Sequence, residues 1–429
     1  MYKLYYDKLP GTRVSSQFLN ETIKNFRQLT WTKSSSIDIF LSFLGIDYLW
    51  TDNAADSDAI VILEIDSASD QIENVFDHAS KTYKKSIIIS TTEPCLYNLH
   101  ADRISKKYPN VLYVSVGDHS LNFKLDNFFL FPFFLLRPHS LLTQINLYHL
   151  DMCNLLTSAK PYVFNHLSNF WSPNKYHMHY TIKNYFEKKD SALISYKPIN
   201  WPGNKSKERL VSNLAILEKM KLWIAEINKR PIFYNLYPYE DYINRADPTH
   251  IDHYRIEKIS GDTYFDINNL SHPLKIYTDT HLSLVTEVIK GRVSFEDDRS
   301  LSYNYISEKT VQSILHGHLF VVNASDRYHT DYLQKTLGVE LYDEIFDFAD
   351  IEDTDVPKCQ NSSEYLTAYK IISQLNDFRP ECIFDNAKSI AEKIQFNRNL
   401  LINPGSKLRS NLKQSFIDIL EHYRNLKIW

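Results

Sequence analysis

The sequence predicts an α/β protein in which two units of alternating strands and helices are followed by a helical tail. In the first unit, unbroken and largely β-branched apolar runs such as Ala59–Glu64 alternate with amphipathic helical segments. The same alternation restarts after about residue 155. Buried strands separated by helices form parallel sheets covered on both faces. Because the pattern restarts, we expect two such domains, at 1–155 and 156–360, with helices at 361–429 packing back on them.

The elements of the first unit follow from its apolar runs and its amphipathic segments. Its predicted strands are Lys3–Tyr6, Ala59–Glu64, Ser86–Ser90 and Val111–Val116. Its predicted helices are Ser34–Phe43, which starts in a serine-rich cap, and Asp70–Lys84.

The second unit and the tail are predicted in the same way. The predicted strands of the second unit are Pro161–Phe164, Ser191–Ser195, Leu282–Val285 and Leu319–Val322. Its predicted helices are Lys175–Phe186, Ser206–Lys229, Glu308–Leu315 and Thr330–Leu337, the last ended by Gly338. Segment 232–275 has the least regular pattern and is predicted to be an excursion from the second domain. The predicted tail helices are Ser362–Leu375, Asp385–Leu401 and Lys407–Leu420.

Composition argues against several classes of protein. The chain has 429 residues and a net charge of −4, so no overall basic field draws it to nucleic acid. It contains only nine glycines and neither a G-x-G-x-x-G nor a Walker loop, which argues against a classical NAD enzyme or P-loop NTPase. The four scattered cysteines indicate reduced thiols. The longest apolar run, Phe128–Leu136, is too short to span a bilayer, and we expect a cytoplasmic protein.

The most informative stretch is His281–Gly338. It contains a strand ending in Glu287, a variable loop, the segment Tyr305-Ile-Ser-Glu-Lys309 at the start of a helix, and the strand Leu319–Val322. The first turn of any helix favours this residue pattern, since Ser307 is a good N-cap and Glu308 an acidic first residue. The strand–loop–helix–strand setting around the pentapeptide is what favours a functional site.

This arrangement resembles the donor site of the α-1,3-fucosyltransferase family and of related phage-borne glycosyltransferases. That family has a strand ending in Phe-Glu-Asn, a loop, Tyr-Val-Thr-Glu-Lys, a helix and a hydrophobic strand. The counterparts here are Val285–Glu287, Tyr305–Lys309 and Phe320–Asn323. The family's Val-Pro is replaced by Leu319-Phe320, and its terminal glycine by Asn323 or Ala324. The resemblance implies a GT-B fold, in which two Rossmann-like domains face each other across a cleft.

The resemblance also implies roles for individual residues. Tyr305, Glu308 and Lys309 would bind the nucleotide-sugar donor, with Glu287 at the end of the preceding strand. Lys309 in the first turn of a helix would neutralise the leaving diphosphate beside the positive helix end. Glu308 would accept hydrogen bonds from ribose hydroxyls, and Tyr305 would flank the base or donate to phosphate.

Two shorter matches extend the resemblance. At the start of the helix Lys175–Phe186 the family has a diphosphate-binding arginine, and here Lys175, His177 or His179 must take its place. After the strand Ser86–Ser90 the family has a general base, whose counterpart is Glu93. Asp118 and His119, which follow the strand Val111–Val116, are the reserve candidates for the base.

Other site types have less support. His177-x-His179 and His316-x-His318 would not chelate a metal from a helix, because residues two apart point in different directions. We expect neither a metal nor a cofactor. A Ser/His/Asp hydrolase site lacks a G-x-S-x-G elbow.

These observations predict an inverting, metal-independent glycosyltransferase whose co-substrate is a nucleotide-sugar. Its acceptor would be a glycan or lipid-linked saccharide. Alternatively, it would be a hydroxylated or modified base in phage DNA, with the host cytoplasm as the site of action. The rival from another class is a non-catalytic nucleotide-binding or scaffold protein with the same fold.

Overall fold

The computed structural model describes just over half of the first unit, a little under half of the second unit and nearly all of the tail. The described residues are 1–7, 36–63, 69–89, 101–119, 125–136, 156–168, 178, 181–182, 185–188, 191–196, 275–287, 291–294, 300–324, 327–353 and 362–425. The helix predicted at Ser206–Lys229, most of the helix predicted at Lys175–Phe186 and almost all of segment 232–275 lie outside them.

A parallel sheet of six strands forms the first unit, as far as the chain is described. Its strands are β1 Tyr2–Asp7, β2 Tyr48–Trp50, β3 Ala59–Leu63, β4 Ser86–Ile89, β5 Val111–Val116 and β6 Phe128–Phe131. They lie in the order β2-β1-β3-β4-β5-β6. Strands β4 and β5 are buried along their whole length, as expected for central parallel strands with helices on both faces.

Helices cover this sheet and bury its two faces. They are α1 Ser36–Leu44, α2 Ser69–Thr82 and α3 Ala101–Lys107, with 3₁₀ turns at Ala54–Asp56 and Phe133–Leu136. On one face, Phe76 of α2 packs in a core with Tyr5 and Tyr113. The predicted strands and both predicted helices are confirmed to within two residues at each end, whereas β2, β6 and α3 were not predicted.

A second parallel sheet belongs to the second unit. Its order among the described residues is β12-β9-β7-β8, and its strands are β7 Tyr162–Ser168, β8 Ala192–Tyr196, β9 Thr280–Thr286 and β12 Leu319–Asn323. Helix α4 Lys275–Asp279 precedes β9, and α5 Glu308–Leu315 leads into β12. Because β9 and β12 are parallel neighbours, Glu287 and Asn323 lie at the same carboxyl edge, where the Glu287 N–H donates to the Asn323 carbonyl at 3.1 Å.

Two predictions for the second unit are corrected. The loop predicted before Tyr305 contains an antiparallel hairpin, β10 Gly291–Ser294 with β11 Ser300–Tyr303. The α-helix predicted at Thr330–Leu337 is a π-helix at Tyr328–Thr336, which begins after Arg327 in the left-handed region at φ 53°. Gly338, at φ 78°, follows its end, in a conformation that favours glycine.

The tail consists of helices that pack on both units. After α6 Phe348–Glu352, they are α7 Ser362–Asp377, α8 Pro380–Asp385, α9 Ala387–Ile402 and α10 Lys407–Asn425. The helix predicted at Asp385–Leu401 is confirmed as α9 to within two residues at each end, whereas the short helix α8, which starts at Pro380, was not predicted.

Helix α10 returns to the first unit. The Tyr2 hydroxyl donates to Glu421 at 2.9 Å, and the Lys413 ammonium donates to the Gly45 carbonyl at 2.6 Å. Lys85 donates to the Arg424 carbonyl at 3.1 Å, near the end of α10.

The chain is a mixed α/β protein with two parallel sheets and a helical C-terminal part. Within the described ranges, no helix has both the length and the apolar character needed to cross a membrane.

Candidate functional site

Ser307 caps helix α5. Its backbone is extended, and its Oγ accepts a hydrogen bond from the Lys309 N–H at 3.2 Å. This bond satisfies one of the amide donors left open at a helix start. Lys309 lies in the first turn of α5 and is half-buried. The capping role predicted for Ser307 is confirmed.

Glu287 connects the end of strand β9 to the start of α5. Its Oε1 accepts hydrogen bonds from the Ser307 N–H at 3.0 Å and from the Thr310 hydroxyl. The residue is only 2% exposed. Burial raises the pKa of the carboxyl group, while the hydrogen bonds from Ser307 and Thr310 and the charge of Lys309 act in the opposite direction. Glu287 therefore holds segment 305–310 against the carboxyl edge of the second sheet.

Tyr305 is buried beneath the π-helix. The Tyr328 hydroxyl donates to the Tyr305 carbonyl at 3.0 Å. In the π-helix, Tyr328 and Tyr332 share one face, with ring centroids 5.4 Å apart. These two tyrosines were not predicted as site residues; the signal in the sequence was their spacing of four residues, directly after the strand of the donor motif.

The first turn of the π-helix is anchored by His329. Because the Val322 N–H donates to its Nε2 at 3.1 Å, the ring proton is on Nδ1, which donates to Glu352 at 3.2 Å. Glu352 also accepts the His329 N–H at 2.6 Å and the Thr330 hydroxyl. A carboxylate thus lies at the positive end of this helix and holds it against strand β12.

Asp118 is a residue of the first unit that lies near the π-helix. It follows the carboxyl end of β5 and is buried. The pKa of Tyr332 is raised well above its usual value, first by burial and then by the negative charges of Asp118 and Glu287. Asp118 therefore lies near the same tyrosine as Glu287, although the two carboxylates come from different sheets. Burial lowers the pKa of the adjacent His119, and the charge of Asp118 opposes that shift.

Several predicted site residues cannot be placed. Glu93, Lys175, His177 and His179 lie outside the described residues, as does the side chain of Glu308. Their roles stay predictions.

His316 and His318 lie at the opposite, amino-terminal edge of the second sheet. The His316 ring stacks on Tyr277 with centroids 4.1 Å apart, and His318 meets the same ring edge-on at 5.2 Å. His318 also bonds the Ser283 hydroxyl and the Thr280 carbonyl, each at 2.8 Å.

The described part of the chain contains no group of three or more His, Cys, Asp or Glu side chains that could hold a metal ion.

The carboxyl edges of the two sheets thus contribute complementary chemistry. Lys309 supplies a half-buried cation in the first turn of a helix, where anions are favoured. Asp118 supplies a buried carboxylate suited to accept a proton.

Comparison of the chain with protein-family models, curated proteins and solved structures gives no match.

Proposed function

We propose that the chain is a glycosyltransferase that moves a sugar from a nucleotide-sugar donor to an acceptor hydroxyl, with its two sheets arranged as in the GT-B fold. The observation that carries the proposal is a pair of buried carboxylates, Asp118 and Glu287, which follow strands of the two parallel sheets. Each carboxylate follows the carboxyl end of a parallel strand, which is where open α/β sheets bind their ligands.

Lys309 is the group we assign to the donor diphosphate. The Ser307 N–H is already bonded to Glu287, and the Lys309 N–H to Ser307. The Lys309 ammonium is then the group of this turn best suited to neutralise charge that develops on the leaving diphosphate. In this scheme Glu287 positions the turn that carries Lys309.

Asp118 is the group we assign to the acceptor. As a general base it takes the proton of the acceptor hydroxyl, whose oxygen attacks the anomeric carbon as the bond to the diphosphate breaks. A single displacement of this kind inverts the anomeric configuration. Glu93 and His119 are the competing candidates for the base. Substituting each of the three residues separately shows which of them takes the proton.

A non-catalytic role is the second candidate, and it too has a specific observation in its favour. Glu287 and Tyr305 are buried, and the bonds described for them join neighbouring elements of the fold. A scaffold that retained the fold would keep these contacts for stability alone. Binding of a nucleotide-sugar distinguishes the glycosyltransferase from a scaffold, and turnover distinguishes it from a non-catalytic nucleotide-binding protein.

A thermal-shift screen of the wild-type chain against UDP-, GDP-, CMP- and TDP-sugars tests the proposal. A ligand at ten times its Kd stabilises the folded state by about 1.4 kcal/mol. We expect one nucleotide class to raise Tm, and pyrophosphate at the same concentration to raise it less. No shift with any of the four donors would favour the scaffold.

A further inference from the structure

The two units share one hydrophobic core. From the first unit this core contains Leu112 of β5 and Phe133 of the 3₁₀ turn that follows β6, and from the second unit Leu284 of β9 and Ile314 of α5. All four side chains are buried. Helix α5, which carries Lys309, packs directly against that 3₁₀ turn. The two sheets are therefore joined by apolar packing at the helix that carries the candidate donor lysine.

A helical hairpin formed by α9 and α10 contacts both units. Helix α9 packs on α5 of the second unit. Its Lys393 ammonium donates to the Leu341 carbonyl at 2.8 Å, and its Asn397 side chain accepts a hydrogen bond from the Glu340 N–H at 2.7 Å. Helix α10 packs on α9 and also on α1 and β3 of the first unit. The hairpin thus connects the units by a second route, besides the contact of α5 with the 3₁₀ turn.

Helix α10 contacts the first unit through apolar and polar side chains. The ring of Phe416 lies edge-on to that of Phe131 on β6, with centroids 5.2 Å apart, and both side chains belong to the shared core. Near the end of the helix, Glu421 accepts the hydrogen bond from the hydroxyl of Tyr2 on β1. The contacts of α10 therefore reach both β1 and β6, which three other strands separate in the sheet.

We propose that this hairpin and the shared core hold the two units as one cooperative body, whose candidate site is assembled before a ligand binds. Domains move relative to each other unless the interface between them is large and apolar. A hinge movement between the units would expose Phe133 and Ile314 to water, which removes the stabilisation that their burial supplies. The roles of Asp118 and Lys309 in the assembled site rest on the proposed function, whereas the cooperative body does not depend on it.

Hydrogen exchange read by mass spectrometry at rising urea concentrations tests the cooperative body. The slowest amides of a protein exchange through global unfolding, so amides of one cooperative body share its opening constant. We therefore expect the slowest amides of β4 and β5, in the first sheet, and of β9 and β12, in the second, to have opening constants within about tenfold of each other. A difference of more than about tenfold between the two sheets would overturn the proposal.

Phe416→Ala tests whether the hairpin transmits stability between the units. The cavity should speed exchange by about 100- to 1,000-fold, and by the same factor in both sheets, although the Phe416 ring packs on β6 of the first unit. Phe396→Ala, at an exposed position of α9, is the matched control and should change exchange by less than about threefold. If Phe416→Ala does not fold, Tyr2→Phe removes the bond to Glu421 and should speed both sheets by about two- to tenfold. Faster exchange confined to the first sheet would contradict the proposal.

Small-angle scattering of the wild type, with and without a saturating nucleotide-sugar, tests whether the site is assembled in advance. We expect the radius of gyration to be the same in both samples, because no hinge closes. A decrease on binding would contradict this part of the proposal. The exchange experiment needs no ligand, so it still decides whether the units form one body if the proposed function fails and no nucleotide-sugar binds.

Discussion

The buried carboxylate of Glu287 and the hydroxyl of Thr310 are joined by a hydrogen bond. The bond connects the carboxyl end of strand β9 to the first turn of helix α5. Together with the bond from the Ser307 N–H, it fixes the turn that carries Lys309. The candidate donor site therefore depends on Glu287, which holds the turn that carries Lys309 in place.

Removing this carboxylate should destabilise the fold. Glu287→Ala leaves the Ser307 N–H and the Thr310 hydroxyl without an acceptor, and we expect a loss of about 2–4 kcal/mol in the free energy of unfolding. Glu287→Gln keeps one acceptor oxygen and should cost about 1 kcal/mol. Urea denaturation measures both, with the exposed Glu392→Ala as a control that should stay within about 0.5 kcal/mol. Equal effects of the Ala and Gln variants would contradict this role.

The two tyrosines of the π-helix should respond differently to loss of the hydroxyl group. Tyr328→Phe removes the donor to the Tyr305 carbonyl and should lower the free energy of unfolding by about 1–2 kcal/mol. The buried Tyr332 hydroxyl lies near the Ile306 N–H but outside hydrogen-bond geometry, so Tyr332→Phe should change the free energy of unfolding by less than about 0.5 kcal/mol. Chemical denaturation of the two variants side by side makes the comparison. A larger loss for Tyr332→Phe would mean that its hydroxyl is bonded.

His281 should make the fold sensitive to acid. Its pKa is lowered to about 4, first by burial and then by the charge of Lys160. The unfolded chain, with an ordinary histidine pKa near 6.5, takes up the proton first as the pH falls, so stability is lost between pH 6.5 and 4. The loss attributable to His281 between pH 7 and 5 is about 2 kcal/mol. Stability measured across this range should therefore fall less for His281→Gln than for the wild type, and parallel curves would refute the assignment.

Much of the fold could be predicted because its strands are distinctive. The apolar β-branched runs at 86–90 and 111–116 indicate buried parallel strands, and β4 and β5 lie there. Strand β2 is only three residues long, too short for such a pattern, and β6, Phe-Phe-Leu-Phe, lacks the β-branched residues that mark β4 and β5. The π-helix was predicted as an α-helix because apolar spacing over nine residues does not separate the two helix types.

The candidate site was predictable only where its contacts are local. A capping serine two residues before Lys309 can be recognised from the sequence, and the structure contains that cap. The proximity of Asp118 to Tyr332 joins residues far apart in the chain, and no motif marks it. Tyr332 was missed because a buried aromatic residue in an amphipathic helix usually serves packing alone.

Asp118→Asn should separate chemistry from binding. Loss of a general base typically costs about 10²–10⁴ in rate, and we expect release of nucleoside diphosphate to slow by at least about 100-fold. Affinity for the donor should change by less than about threefold, since the proposed role of Asp118 concerns the acceptor. Steady-state turnover and donor titration measure the two effects. Full turnover by this variant would transfer the role of base to Glu93 or His119.

Calorimetric titration of the nucleotide-sugar selected by the thermal-shift screen into the wild type, Lys309→Ala and Lys335→Ala tests the central claim most directly. Lys335 is a highly exposed lysine of the π-helix that pairs with Asp331, so its loss serves as the charge control. We predict about 10- to 100-fold weaker donor binding for Lys309→Ala, because a charge-assisted contact to the diphosphate is worth about 1.5–3 kcal/mol. Binding by Lys335→Ala should equal that of the wild type. Unchanged donor affinity in a folded Lys309→Ala variant would contradict the assignment of the donor site.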